Sequence, residues 1–237
     1  MLPVLDTSVT DGPDTSSLVD ATPLVRARGL TRRRGPRTLW DDLTFDVAPG
    51  TSVAVTGPSG SGKTSLLSCL GLLERVEAGT LELAGVDVTR ISHATRRSLF
   101  RGTVGHLFQN YALVEGWTVA ANVDVAFIGT RTTHGARVER REAALERVGL
   151  GGYDRRRAHS LSGGEQQRVA LARLIVRSPR VVIADEPSAA LDPDNVGVVL
   201  GVLDDLRLAG SALVVATHDD RVVAWCSDTL DLRPVGG

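Results

Sequence analysis

The sequence has no long apolar run and only two cysteines. Its longest uninterrupted apolar stretch, Val196 to Leu203, is far shorter than the roughly 20 residues of a membrane-spanning helix. Residues 1–23 lack the basic start and apolar block of a secretory signal, and their Pro, Ser, Thr and Asp content predicts a disordered tail. Cys69 and Cys226 lie far apart, outside any metal-ligand spacing. We therefore expect a cytoplasmic protein with one compound domain over 24–237.

Neither charge sign is in excess, and lysine is almost missing. A net charge of −1 argues against a broadly basic surface, so we expect no nucleic-acid partner. Of the 27 cationic residues, 26 are arginine and one, Lys63, is lysine. Because arginine is used everywhere else, this position indicates a function that requires a compact ammonium group.

Two stretches in the N-terminal half have the pattern of antiparallel strands. Pro23 to Asp46 predicts short strands with a turn at Arg32 to Pro36, and Gly79 to Val88 alternates like a hairpin. Helical patterns dominate farther along, and Ala136 to Val148 predicts an amphipathic surface helix. The sequence thus predicts an N-terminal antiparallel β-subdomain and an inserted helical subdomain over roughly 95–160.

Three short apolar strands are each followed by residues that could carry chemistry. Ser52 to Thr56, Val181 to Ala184 and Ala212 to Thr217 are apolar runs separated by helical sequence, as expected of parallel strands covered on both faces. The first strand runs into a glycine-rich loop and then a buried helix predicted at Thr64 to Leu73. The fold class is therefore α/β with a mainly parallel sheet, whose carboxyl edge is the expected ligand site.

The loop after the first strand fits a phosphate-binding pattern. Gly57 to Thr64 reads GPSGSGKT and matches G-x-x-x-x-G-K-[ST]. Its glycines let backbone N–H groups surround phosphate, while Lys63 can reach the β and γ phosphates and Thr64 can ligate Mg²⁺. Kinases, GTPases and many ATPases share this loop, so it leaves the class open. The candidate nucleotide-binding residues are Gly57, Pro58, Ser59, Gly60, Ser61, Gly62, Lys63, Thr64 and Ser65.

A second motif separates these classes. Ser160 to Arg168 reads SLSGGEQQR, in which Ser162 and Glu165 have the spacing of a helix-opening capping box. Capping does not require two glycines followed by Glu-Gln-Gln-Arg. Here the sequence resembles the ABC ATPase family, whose signature reads LSGGQ or LSGGEQQR, and the resemblance extends from about residue 25 to about residue 230. It implies a P-loop NTPase core with ATP and Mg²⁺ as cofactors.

The resemblance also implies a head-to-tail dimer with two ATP molecules at its interface. The signature residues of one copy then complete the site of the other; they are Ser162, Gly163, Gly164 and Glu165. In the same family the D-loop crosses the dimer interface, and Ser188 to Asp192, SAALD, resembles it. Its candidate contact residues are Ala190, Leu191 and Asp192.

Three further motifs match the family in order along the chain. VVIADEP resembles the Walker B strand, which gives Asp185 a Mg²⁺-linked role and Glu186 the role of general base. Gln109 matches the Q-loop glutamine that senses Mg²⁺ and γ-phosphate, and His218 matches the switch histidine. The resemblance thus implies catalytic roles for Glu186, His218 and Gln109, and a metal site formed by Thr64, Gln109 and Asp185.

One position departs from the family. Its members place an aromatic residue upstream of the phosphate loop to stack on adenine, whereas no Phe, Trp or Tyr precedes Trp40 here. By spacing, the position falls near Arg33 or Arg34. The hypothesis is that the planar guanidinium of an arginine stacks on the base instead.

The expected function is to use ATP to drive partner permease subunits that span the membrane. We expect two identical ATPase subunits to form the dimer and to work at the inner face of the membrane. LFQNYALVEGWTVAANVDV resembles the branch of lipoprotein-release, macrolide-export and bacteriocin-export ATPases, which favours export. An alternative is mechanotransmission, in which the same engine controls an envelope process without transport. Soluble ABC ATPases of translation or DNA repair are disfavoured, because one phosphate loop, no heptad run and no cysteine cluster are present. A phosphotransferase outside the family is the remotest alternative.

Overall fold

The computed structural model describes residues 22–189 and 192–233, so nearly all of the tail predicted over 1–23 lies outside the described residues. Its elements in chain order are β1 (Val25–Arg34), β2 (Arg37–Val47), β3 (Ser52–Thr56), α1 (Lys63–Leu70), β4 (Ala78–Leu83), β5 (Val86–Asp87), α2 (His93–Gly102), β6 (Val104–Leu107), α3 (Val119–Asp124), α4 (His134–Arg147), α5 (Gly163–Arg177), β7 (Val181–Asp185), α6 (Pro193–Leu208), β8 (Ala212–Ala216), α7 (Asp220–Trp225) and β9 (Asp228–Asp231). Short 3₁₀ turns follow α3 at Val125–Phe127 and precede α5 at Ala158–Ser160.

The N-terminal strands form the predicted antiparallel sheet, in the order β2-β1-β4-β5. Val25 of β1 pairs with Val47 on one side and with Leu83 on the other, and all three side chains are buried. The predicted hairpin at 79–88 is confirmed. Its turn residues Ala84 and Gly85 both have positive φ, at 50° and 81°, as a tight hairpin turn requires.

The turn predicted at Arg32 to Pro36 is shorter in the structure. β1 continues to Arg34, which pairs with Arg37 across the strand connection, and Arg33 pairs with Thr38. Only Gly35, with φ of +61°, and Pro36 remain between the strands. The prediction was too long because a run of arginines can extend a hairpin as readily as it can close one.

The core sheet is wholly parallel, in the order β6-β7-β8-β3-β9. Its central strands are apolar on both faces, since helices cover both sides: Val181, Val182, Leu213 and Val214 are completely buried. The predicted α/β class with one parallel and one antiparallel sheet is therefore confirmed.

Helix α1 ends at Leu70, three residues earlier than predicted. Gly71 follows, and its carbonyl oxygen lies 2.9 Å from His106 Nε2. A Cβ atom at Gly71 would lie 2.4 Å from the same nitrogen, so His106 of β6 can approach only because this residue is glycine. Leu72 then takes a positive φ of 62°, which ends the helical path of the chain.

Helix α5 connects the parallel sheet to the helices before it. Leu145 of α4 and Val123 of α3 are buried in the same apolar cluster as Leu171 of α5 and Val182 of β7. β6 falls inside the range 95–160 but pairs with β7, so residues 104–107 belong to the parallel sheet. No helix within the described ranges combines the length and apolar character needed to span a membrane.

Candidate functional site

The phosphate loop, residues 57–64, turns sharply between β3 and α1. Gly57 has a φ of +137°, and a Cβ atom there would lie 2.5 Å from the carbonyl oxygen of Leu232. Gly62 has a φ of +98° and would clash in the same way with the Trp40 indole, 2.7 Å from Nε1. Both positions therefore require glycine, because any side chain would meet strain and a close neighbour.

Helix α1 begins without a side-chain cap. Among the helices described, the others start on a Ser, Thr or Asp whose side chain accepts a backbone N–H bond: Ser92, Thr118, Thr133, Ser162, Asp192 and Asp219. The N-cap of α1 is Gly62, which has no side chain, and its first turn holds no acidic residue. The first N–H groups of α1 are thus left for an anion, at the positive end of the helix dipole.

Lys63 is folded back onto the loop that precedes it. Its Nζ donates to the carbonyl oxygens of Gly57 at 2.7 Å and of Pro58 at 3.3 Å. These bonds hold the ammonium group at the mouth of the loop, where a phosphate would compete with neutral carbonyls for it. A charged acceptor makes the stronger bond, so Lys63 is placed to move to phosphate.

A cavity of about 370 Å³ opens beside the loop and gathers residues from five segments of the chain. It is lined by Arg34, Leu39, Ser59, Gly60, Gly62, Lys63, Thr64, Ser65, Gln109, Asp185, Glu186 and His218. Ten of these residues carry predicted site roles, and Arg34 is one of the two arginines, with Arg33, near which the base position was predicted. Three predicted loop residues do not line the cavity: Gly57, Pro58 and the buried Ser61.

The two acidic residues of the cavity lie at the end of β7: Asp185 is its last residue and Glu186 directly follows it. Burial raises the pKa of Asp185 above its usual range, the neighbouring charge of Glu186 raises it further, and Lys63 opposes both effects. A second positive charge would therefore stabilise the ionised pair. The chemistry of the site fits a divalent cation held by oxygen ligands.

Glu186 is held in an unusual backbone conformation. Its φ is +50°, although it is not glycine, and its N–H donates to the carbonyl oxygen of Ala216 at 2.9 Å. Its buried Oε2 lies 2.9 Å from Nδ1 of His218 and has no other polar partner among the described residues. The contact is an ion pair when His218 is protonated, and Glu186 raises the pKa of His218.

Gln109 lies in an exposed turn directly after β6. Two residues shortly after it, Tyr111 and Ala112, both have positive φ, at 60° and 46°. Arg173 of α5 donates to both of their carbonyl oxygens, at 2.8 and 2.9 Å. The segment that carries Gln109 is therefore hydrogen-bonded to α5.

The signature residues lie apart from the cavity of their own chain. Ser162 accepts a bond from the Glu165 N–H at 3.3 Å, and Glu165 Oε2 accepts one from the Ser162 N–H at 2.8 Å, so the predicted capping box is confirmed. Backbone hydrogen bonding from Ser162 lowers the pKa of Glu165. Within the described ranges, residues 162–165 are absent from the cavity lining. Ser162 and Gly163 are exposed, ready to meet another molecule.

The predicted D-loop is described only in part. Ala190 and Leu191 lie outside the described residues. Asp192 is exposed and caps α6, accepting a bond from the Asn195 N–H at 2.9 Å.

Three residues of the site were missed by sequence reasoning. Leu39 lines the cavity, and Trp40, with only 3% of its surface exposed, lies against Gly62 beneath the loop. Gln167 contacts the turn that follows Glu186. No spacing rule marks Leu39 or Trp40, because the hairpin that brings them to the loop is distant in sequence. Gln167 stands within SLSGGEQQR, and its place in that motif was the available signal.

The loop, the uncapped helix and the paired carboxylates define a P-loop nucleotide hydrolase with a parallel core and an attached antiparallel sheet. Comparison with known proteins narrows this class. Residues 40–189 match the family described as ABC transporter. The chain belongs to the ABC transporter family, as one of its ATPases.

The named relatives include export proteins. The macrolide export ATP-binding/permease protein MacB 1/2 of Paracoccus denitrificans is 41% identical over 206 residues, which cover 85% of this chain and 31% of that protein. The probable syringafactin export ATP-binding/permease protein SyfD of Pseudomonas syringae is 35% identical over 214 residues, 89% of this chain and 33% of SyfD. This chain therefore spans about a third of the length of these two relatives.

Solved cassettes share the fold. The dimeric structure of MJ0796, a bacterial ABC transporter cassette, superposes with a TM-score of 0.80 at 25% identity, covering 90% of this chain and 99% of the other. A dimeric post-hydrolysis state of MJ0796 bound to ADP and Pi gives a TM-score of 0.81 at 26% identity, covering 88% and 94%. The predicted P-loop NTPase fold is thus confirmed.

The contact between His218 and Glu186 gives a titration that can be measured. In the nucleotide-free protein, NMR should find the pKa of His218 above its ordinary value, because the Glu186 carboxylate stabilises the imidazolium. Glu186→Gln removes that charge and should lower the pKa of His218. His106, whose pKa burial lowers to about 4, provides the internal control and should not respond. A His218 pKa that is the same in both proteins would show that the contact does not form in solution.

Proposed function

We propose that this chain is the ATP-binding and ATP-hydrolysing subunit of an ABC transporter complex, that it dimerises on ATP, and that it drives membrane-spanning partner subunits in export. One observation carries this proposal: Ser162 and Gly163 are exposed at the start of α5, yet they are absent from the cavity formed with Lys63 by the described residues. A second copy, arranged head to tail, would bring them to that cavity.

ATP binding rests on the loop and on the uncapped start of α1. The backbone N–H groups of residues 60–64 and the Lys63 ammonium would hold the β and γ phosphates. Thr64, Gln109 and Asp185 would hold Mg²⁺, in keeping with the raised pKa of Asp185, which a cation would relieve. When bound, Mg²⁺ neutralises charge on the phosphate oxygens.

Hydrolysis would begin at Glu186. Its Oε2 has no polar partner other than His218 among the described residues, and the carboxylate lines the cavity, so it could accept a proton from an attacking water. His218 lies 2.9 Å from this oxygen and would orient the carboxylate or contact the γ-phosphate. The positive φ of Glu186 is the kind of backbone strain that persists where surrounding structure holds a functional side chain in place.

The second copy would complete each site. Ser162, Gly163 and Gly164 of that copy would bind the γ-phosphate with a hydroxyl and free amides, while Glu165 holds the helix start in shape. Ala190, Leu191 and Asp192 would cross the interface beside them. ATP would thus join the two copies, and hydrolysis would separate them.

A groove beside the Gln109 segment would receive the membrane partner. Its floor is aromatic, with Phe108 stacked on His106 at 4.9 Å between ring centroids, and it borders Arg173 and Arg177. Desolvation lowers the pKa of both arginines, and no carboxylate pairs with either within the described ranges. We propose that the helical subdomain over roughly 95–160 and this groove together carry the partner contact.

Export is proposed because MacB and SyfD, the named relatives, are export proteins. These names give no support to the mechanotransmission alternative. Docked on membrane subunits, the chain would work at the inner face of the cell membrane.

Two substitutions test the catalytic assignment. Glu186→Gln should trap an ATP-bound dimer with little turnover, because ATP still binds while the proton acceptor is gone. Lys63→Ala should lose ATP binding, because the ammonium that grips phosphate is gone. Size-exclusion chromatography with ATP and measurement of phosphate release check both. Full activity in Glu186→Gln would refute the role of Glu186.

The base would be recognised by an arginine. We propose that Arg34, at the end of β1, stacks its guanidinium on adenine, since it lines the same cavity as Lys63 and has no acidic partner among the described residues. Leu39 offers an apolar surface in the same cavity. Stacking of a planar cation requires no hydrogen bond to the base and can therefore serve any purine.

Arg34→Ala should weaken ATP and GTP binding by about two- to fivefold each, the effect of losing one exposed cation–π contact. Arg33→Ala is the matched control, since Arg33 is next in sequence and does not line the cavity. Fluorescent nucleotide titration measures both variants. Unchanged affinity and selectivity in Arg34→Ala would remove this residue from the base site.

A further inference from the structure

Gln167 is a buried amide that reaches from α5 to the turn after Glu186. Only 4% of its surface is exposed, and its Nε2 donates to the carbonyl oxygen of Pro187 at 2.5 Å. A carbonyl can only accept, so the amide nitrogen must face it. The other amide atom, Oε1, is buried without a hydrogen-bond partner among the described residues. The bond to Pro187 is therefore the one hydrogen bond of this buried amide within the described residues.

The turn that Gln167 holds begins with the proposed general base. The Glu186 N–H is fixed from β8 by the Ala216 carbonyl oxygen, and the Ala189 N–H donates back to the Glu186 carbonyl oxygen at 3.1 Å. Pro187 has no N–H, so its carbonyl is its only backbone group that can be anchored. Gln167 supplies that anchor from α5.

We infer that Gln167 is a positioning residue that sets the orientation of Glu186 and links it to the first turn of α5. Ser162 caps the helix five residues earlier, so the two residues lie about one and a half turns apart on one rigid element. This inference rests on the proposed function, in which Ser162 binds the ATP held by the second copy. Occupancy of that second ATP site would then reach the base of the first copy through α5.

A neighbouring contact strengthens the same connection. Arg168 donates to the side-chain oxygen of Asn195, and Asn195 donates to Asp192 at 2.5 Å. A Cβ atom on Gly164 would lie 3.1 Å from the Asn195 amide, so α5 lies close against the start of α6. The first two turns of α5 are thus tied both to the Glu186 turn and to the end of the D-loop.

Gln167→Met keeps the length of the side chain and removes the donor. The kcat for ATP hydrolysis by the full chain should fall by about tenfold or more, because a small displacement of a general base has a large effect on rate. The KM for ATP should stay within about twofold, since the phosphate loop is untouched. Gln167→Asn retains the amide but is one methylene group too short, and it should show the same loss.

The background of Glu186→Gln separates positioning from a general structural role. If Gln167 acts through Glu186, adding Gln167→Met to Glu186→Gln should cause no further loss of the residual hydrolysis of labelled ATP in long incubations. A further tenfold loss there, or an unchanged kcat in the single variants, would overturn the inference. ATP-dependent dimerisation of Glu186→Gln tests the proposed function separately, because it does not involve Gln167.

Ser211→Ala is the matched control for stability. Ser211 is buried and its hydroxyl donates to the carbonyl oxygen of Pro179 at 2.7 Å, just before β7, whereas Pro187 follows the other end of that strand. Loss of the Ser211 hydroxyl in Ser211→Ala should lower the Tm and leave kcat unchanged. If Ser211→Ala lowered kcat as far as Gln167→Met does, the loss would report on stability rather than positioning, and the inference would fail.

Discussion

The register of three parallel strands determines where everything else in the site can lie. Val55 of β3 and Asp185 of β7 both pair with Ala216 of β8, so the three strands end side by side. The phosphate loop, the acidic pair and His218 leave the sheet from that common edge. Their order along the sheet follows from topology, since β8 lies between β3 and β7. A change of one residue in this register would shift the loop relative to the acidic pair and His218.

The single lysine of the sequence lies at this edge of the sheet, and its surroundings explain why it is not an arginine. Lys63 Nζ approaches two carbonyl oxygens of the loop within 3.3 Å, in a space that a branched planar guanidinium would not enter in the same way. Arginine serves the other cationic roles, including the contacts of Arg173 with the Gln109 segment and the cavity position of Arg34. The sole lysine is thus found where, in the proposed function, a small charge moves between the loop and phosphate.

Sequence patterns predicted the parallel strands, the loop and the capping box, because each depends on residues close together in the chain. Helix α1 was predicted too long because the apolar run continues through Leu72 and Leu73, although the chain leaves the helix at Gly71. The contacts of Trp40 with Gly62 and of Gln167 with Pro187 were not predictable, because they join segments that meet only after folding. The roles assigned to Ser162, Gln109 and the D-loop came from family resemblance and stay proposals.

The central claim is that each ATP site combines Lys63 of one copy with Ser162 of another. Mixing Lys63→Ala protein with Ser162→Ala protein tests it, since a mixed dimer holds one site in which both residues are intact. The account predicts that each variant alone is inactive and that an equal mixture recovers hydrolysis, up to about half of the wild-type rate when every dimer is mixed, because each mixed dimer holds one intact site of two. Mixed dimers that form but recover no hydrolysis would show that the two residues do not act in one shared site.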